Sequence, residues 1–269
     1  FCFFSFSDVP FIDCKYREKL VQQMPKYVLL IYLIFKLKSK DNVVWQLCFM
    51  SVEICVSGVK SLNLAAKYGA DRVELCQELT CGGLTPSISL VKRSVALGLN
   101  TQVLIRPRSG DFVYDETDKI QMMEDVILYQ KLGIQGIVVG ALNDQRTLDI
   151  SFLKRLRMLT PSIELTFHKA FDDIDNWQKA MEGLISIKFD RILTAGGAVN
   201  VSDGIESLKD MMILASNRIQ ILPGGGVNEE NIGNIIESLQ PSYLHFSATK
   251  HQTLENSKYF KATVVAVDE

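Results

Sequence analysis

Two cysteines close two short alternating runs, 52-VEICV-56 and 72-RVELC-76. Read as neighbouring parallel strands about 4.8 Å apart, the runs put Cys55 and Cys76 on one face, each at a C-terminal end. Two soft thiolates placed so suit a cuprous ion, Cu(I), which accepts few ligands and prefers soft ones. Zinc would need further ligands at recognisable spacing, and neither a CxxC pair nor a Cys/His pattern is present. The alternative is a pair of reduced thiols packed as small hydrophobes. Cys81 follows in a loop and is not taken as a partner of Cys76.

The same strand faces carry Glu53, Arg72, Glu74, Gln102, Arg106, Glu164, Thr166, His168, His245 and Ser247. Buried charges must be paired and hydrogen-bonded, and a fold gains little by keeping them. Such a set therefore points to a polar site. Glu53, Arg72 and Glu164 sit early in their runs and equally suit a paired structural network. The loop 106-RPRSGDF-112 offers Arg106 and Arg108, two planar forks matched to a carboxylate or phosphate. They either bind such an anion together with Asp111, or pair internally with Asp111 or Glu74. In 166-TFHKAFD-172, His168 is a candidate general base or metal ligand, tuned by a carboxylate such as Asp172. Glu74 is the other group able to move a proton. The loops 195-AGG-197 and 223-PGGGV-227 let backbone N–H groups approach an anion, with Gly224 and Gly225 as candidate contacts, or they are plain tight turns.

What must position these residues is a repeated strand–helix unit. Eight short runs begin near residues 52, 72, 101, 136, 163, 191, 218 and 243, and segments of helical period separate them. The helix expected over 116–132 opens on acidic residues, as an N-terminus favours. Another is expected over 228–239 with Asn228 as its cap. Gly69, Gly98 and Gly133 suit the left-handed position that ends a helix. An open doubly wound sheet would need strands apolar on both faces. These strands alternate, which gives the polar residues a shared interior, so the expectation is a compact (β/α)8 TIM-like barrel of parallel strands. Its strand C-termini, where Cys55, Cys76, Arg106 and His168 stand, form the end at which barrel active sites lie.

The chain has 269 residues, 47% apolar and 22% charged, with a net charge of −2. That balance supplies no basic excess for nucleic acid or an anionic membrane. Six cysteines in so long a chain do not make a disulfide framework. Residues 1–49 differ from the rest. Their apolar run 27-YVLLIYLIF-35 is shorter than the roughly 20 residues that span a bilayer. The expectation is a leader outside the natural protein with Met50 as its start, then a barrel over 50–249 and a tail over 250–269.

Taken together, 50-MSVEICVSGVKSLNLAAKYGADRVELC-76, GGLTPS (82–87), IRPRSGDF, GIVVGAL (136–142), TFHKAFD, RILTAGG and ILPGGGV resemble the CutC copper homeostasis family. The resemblance implies a (β/α)8 barrel, a cytoplasmic location, homo-oligomers, and a Cu(I) role with Cys55 and Cys76 as the copper thiolates. Lys169 stands where an Arg is usual, Ser57 where an Asp is, and Ser109 where a Gly is. Two functions compete. One is copper homeostasis through Cu(I) bound at the barrel mouth. The other is a metal-independent enzyme on a small phosphorylated or carboxylated metabolite held in the polar pocket of Glu53, Glu74, Arg106, Arg108, His168, Asp172 and His245.

Overall fold

In a computed structural model, the described residues are 50–228 and 230–247, with the backbone of two further strands at 250–253 and 263–266. The expected leader and most of the tail lie outside them. The chain runs β1 (Ser51–Val56), α1 (Val59–Lys67), β2 (Arg72–Leu75), α2 (Ile88–Ala96), β3 (Thr101–Leu104) and α3 (Glu116–Gln130). It continues through β4 (Gly136–Val139), α4 (Ile150–Leu159), β5 (Glu164–Phe167), α5 (Trp177–Ser186), β6 (Arg191–Thr194), α6 (Ile205–Ala215), β7 (Gln220–Pro223), α7 (Ile232–Leu239) and β8 (Tyr243–Phe246). Short 3₁₀ turns follow β2 (Leu79–Cys81) and β5 (Lys169–Asp173).

The eight strands are parallel, in the order β7-β6-β5-β4-β3-β2-β1-β8. One bridge between Gly224 and His245 draws β7 and β8 together, so the sheet is a nearly closed barrel. Alternation explains the closure. Val52, Ile54, Val73, Leu75, Val103, Ile137, Val139, Leu165, Phe167, Ile192 and Leu244 belong to the large core shared with the helices. Each helix answers with one apolar stripe: Met122, Val126 and Tyr129 on α3, for example, or Ile232, Ile235, Ile236 and Leu239 on α7. The opposite strand faces fill the barrel.

Local signals act as their chemistry requires. Asp115 caps α3 by accepting the Asp118 N–H at 2.8 Å, and Gly69, Gly98 and Gly133 take φ of 73°, 72° and 83° just past their helices. Two elements depart from expectation. The helix after β7 begins at Ile232, because the Asn228 side chain instead accepts from the N–H groups of Glu230 and Asn231 and holds a turn. The strand after β8 is paired with another (β9, Lys250–Thr253, antiparallel to β10, Thr263–Ala266), so seven helices accompany the eight strands among the described residues.

Candidate functional site

The thiols meet inside the barrel. Neighbouring strands β1 and β2 pair Glu53 with Arg72 and Cys55 with Glu74, which sets Cys76 one step beyond Cys55 on the same face. Cys55 Sγ and Cys76 Sγ are 3.5 Å apart, and both side chains are buried. Leu104, Val138 and Leu79 pack around them in a small apolar cluster separate from the main core. Cys81 is elsewhere, its thiol directed to the Glu78 carbonyl at 3.1 Å.

A charged layer borders the pair. His245 Nδ1 lies 2.7 Å from Glu53 Oε1 and 3.7 Å from Glu74 Oε2, and the ring also reaches Cys55. Glu53 is paired with Arg72, whose guanidinium stacks 4.5 Å over the Tyr243 ring. Burial opposes charge on Glu53, but the His245 hydrogen bond and the His245 and Arg72 charges outweigh it and hold its pKa low. Burial likewise opposes charge on His245, yet its hydrogen bonds to Cys55 and Glu53 and the two carboxylates raise its pKa well above 6.5. Glu74 is pushed up to about 7, mainly by burial, and its Oε2 has no hydrogen-bond partner among the described residues. Glu74 is thus a carboxyl poised to exchange a proton near neutrality. The Cys76 contact and burial raise the Cys55 thiol well above its usual range. Glu53, Glu74 and His245 each offer a ligand atom within 4.8 Å of the others, but Arg72 and the His245 proton already engage this oxygen-rich group.

Below it the barrel floor is a hydrogen-bonded network, in which Arg72 Nη1 and Nη2 and Gln102 Oε1 find no partner among the described residues. Arg191 forks onto Glu164 at 2.7 and 2.8 Å and donates to Gln220 at 2.7 Å, while Gln102 donates to Glu164 at 3.1 Å. Glu164 and Arg72 therefore serve as paired structural charges, with Arg191 as the partner that the spacing did not reveal.

At the mouth the two arginines part. Arg108 is half exposed and bound to Asp118 at 2.8 Å and Asp111 at 3.0 Å, so Asp111 is its salt-bridge partner. Arg106 is buried and its hydrogen bonds of normal geometry go to carbonyls: NH1 to Cys81 and Gly83, NH2 to Gly110, each at 2.8 Å. His168 Nδ1 accepts the Ala170 N–H at 3.1 Å, which leaves the ring proton on Nε2. Burial, then the Arg106 charge, takes its pKa down to about 3. The expected general base is thus a neutral N–H donor, since the nitrogen still free already carries the hydrogen. Asp172 does not orient it. That carboxylate accepts from Ala195 and Gly197 N–H, from Thr194 and from Lys169, and so fills the 195–197 loop itself. The Gly224 N–H bonds the Thr194 carbonyl at 3.0 Å, inside the sheet rather than toward a ligand. A side chain at Gly224 would overlap Leu193, and one at Gly225 (φ 115°) would meet the Lys169 ammonium.

Like Arg191, one more residue carries no mark in the sequence. Tyr114, buried behind the 106–112 loop, sits beside Arg106, its hydroxyl completing no hydrogen bond of normal geometry among the described residues. It lies past the motif, and nothing in its spacing marks the loop's return to the barrel. A cleft of about 360 Å³ opens nearby between Asp111, Phe112, Leu142, Asp144, Arg146 and Asp173. No helix among the described residues is long and apolar enough to cross a membrane.

The sequence profile of the CutC family matches residues 50–250. A family protein CutC of Agrobacterium fabrum is 38% identical over 200 residues, covering 74% of this chain and 80% of that protein. One of Aliivibrio fischeri is 39% identical over 201 residues, covering 74% and 81%. The crystal structure of CutC from Streptococcus agalactiae, whose name ties it provisionally to copper homeostasis, superposes with a TM-score of 0.69. It is 32% identical, and the match covers 73% of this chain and 97% of that one.

Proposed function

This chain belongs to the CutC family, and from that premise we propose that it is a cytoplasmic copper-homeostasis protein that takes up one Cu(I) between the Cys55 and Cys76 thiolates. The carrying observation is the buried sulfur pair 3.5 Å apart in an apolar pocket. Cys55 and Cys76 would hold the ion as two soft donors, their spacing letting both sulfurs reach it. His245 stands against Cys55 at one side of the pair. Two thiolates and one cuprous ion carry a net negative charge, and the His245 cation offsets it. The Cys55 thiol is held protonated before the ion arrives, so binding displaces its proton. Copper is cargo in this reading, and the family likeness supports a homo-oligomer.

The test is competition for Cu(I) against a chromophoric cuprous chelator under anaerobic conditions. One ion per chain is expected, and the Cys55→Ser plus Cys76→Ser variant should bind none. A double variant that titrates as the parent does removes the thiolate site.

A second reading rests on Glu74. A buried carboxyl with a pKa of about 7 and a free oxygen, facing a barrel interior, is the equipment of a general acid or base. In that case the chain is a metal-independent enzyme acting on a small anionic metabolite, with Glu74 moving the proton and His168 donating a fixed hydrogen bond. Glu74→Gln would then abolish turnover and leave Cu(I) binding in place.

A further inference from the structure

We propose that the barrel mouth between β3 and β5 holds a small oxyanion, a carboxylate or phosphate group, on three buried donors: Arg106 Nε–H, the Tyr114 hydroxyl and His168 Nε2–H. All three side chains are more than nine-tenths buried, at 5%, 4% and 6% exposure, and none of these atoms completes a hydrogen bond of normal geometry among the described residues; the Arg106 guanidinium comes close enough to interact with the Tyr114 oxygen, which leaves the Tyr114 O–H hydrogen to donate. They gather around one charge. Tyr114 lies beside Arg106, and the rings of Phe112 and His168 are 4.7 Å apart with the Arg106 guanidinium 5.0 Å from Phe112. Gly140 at the end of β4 makes room for this, because any side chain there would overlap the His168 ring.

The nearby carboxylates that would otherwise quiet these donors are committed elsewhere. Asp111 and Asp118 hold Arg108, and Asp172 holds the 195–197 loop. Arg106 donates to neutral carbonyls, which fix its orientation and leave its charge without a counter-ion among the described residues. Tethering the loops accounts for NH1 and NH2. It does not account for the free Nε–H, the uncompensated cation, or two more donors beside it. A buried unpaired charge and unmade hydrogen bonds are both costly. Water can serve the donors, but only an anion also answers the charge. Phe112, which lies against both Arg106 and His168, is shared with the wall of the cleft.

The inference concerns binding and is independent of copper; only its extension to a reaction rests on the second reading above. The experiment follows melting temperature and calorimetric heat on the full chain against inorganic phosphate, with malonate in a parallel arm and chloride at matched ionic strength as the control. A saturable rise with phosphate, malonate or both is expected, and which of them acts identifies the group preferred. Tyr114→Phe removes only the hydroxyl. His168→Asn keeps the acceptor for Ala170 N–H and removes the Nε2 donor. Each should weaken the anion by tenfold or more, as loss of a hydrogen bond to a charged group does, and each should bind Cu(I) as the parent does. Glu74→Gln should keep the anion, so loss of turnover there stays distinguishable from loss of this site. No saturable shift with either anion, or equal affinity in parent, Tyr114→Phe and His168→Asn, overturns the proposal.

Discussion

Replacing Glu74 by Gln and, separately, His168 by Asn should tilt the pH dependence of stability in opposite directions. Both side chains are buried, and their folded pKa values are displaced toward the neutral form. Glu74 moves from 4.5 up to about 7, mainly through burial, and His168 from 6.5 down to about 3, through burial and then the Arg106 charge. The signs follow from proton linkage. Folded Glu74 binds a proton that the unfolded chain releases above 4.5, so its contribution falls as pH rises from 4.5 to about 7. The unfolded chain protonates His168 below 6.5 while the folded one does not, so that contribution is lost as pH falls from 6.5 toward about 3. Between roughly pH 5 and 6 each difference is close to one proton, about 1 kcal/mol per pH unit, and they oppose each other. His245 stays protonated and Glu53 ionised in both states across this window, given the directions of their shifts. The parent should therefore show little slope from these sites. Glu74→Gln should grow more stable with rising pH by about 1 kcal/mol per unit relative to the parent, and His168→Asn less stable by as much. Urea unfolding at several pH values measures this, and comparing slopes removes any uniform loss of stability. Parallel slopes in all three proteins would refute the buried, neutral assignment of both residues.

Other outcomes follow from the same contacts. Because the Cys55 thiol is held well above its usual range, Cu(I) affinity should climb at least tenfold per pH unit between about pH 6 and 8 as its proton is displaced; a pH-independent affinity in chelator competition contradicts this. Gly140→Ala should cost about 1–3 kcal/mol by forcing a methyl group into His168, read as a lowered denaturation midpoint. Arg108→Gln should cost no more than about 1 kcal/mol, since Arg108 itself and Asp111 are solvent-exposed and only Asp118 is mostly covered. Arg106→Gln should cost more, about 2–3 kcal/mol, because it strips a buried cation's donors from three carbonyls, that of Gly83 buried. The reverse order would mean that Arg106 does not anchor the mouth.

The barrel was legible because its evidence is periodic. Alternation within each run carries Val73 and Leu75 to the helices and Arg72, Glu74 and Cys76 inward, and no long-range information is needed to see it. Cys55 and Cys76 shared the same advantage, since consecutive strands and equal phase suffice to bring them together. What stayed hidden depends on closure or on loop paths. Glu164 finds Arg191 one strand away, and Asp172 turns back onto the loop after β6. Either residue could have paired with several others in the sequence. The role of His168 turns on a single hydrogen bond from Ala170 within a 3₁₀ turn, which sets the tautomer and makes a donor of a candidate base. Arg106 and Arg108, two residues apart, part because Asp118 on α3 captures only the second.

Copper K-edge X-ray absorption on the Cu(I)-loaded protein addresses the central claim most directly. The account predicts a first shell with two sulfur neighbours per copper in the parent, collapsing in the Cys55→Ser plus Cys76→Ser variant. A shell of nitrogen and oxygen alone, or one unchanged by the double substitution, would contradict it.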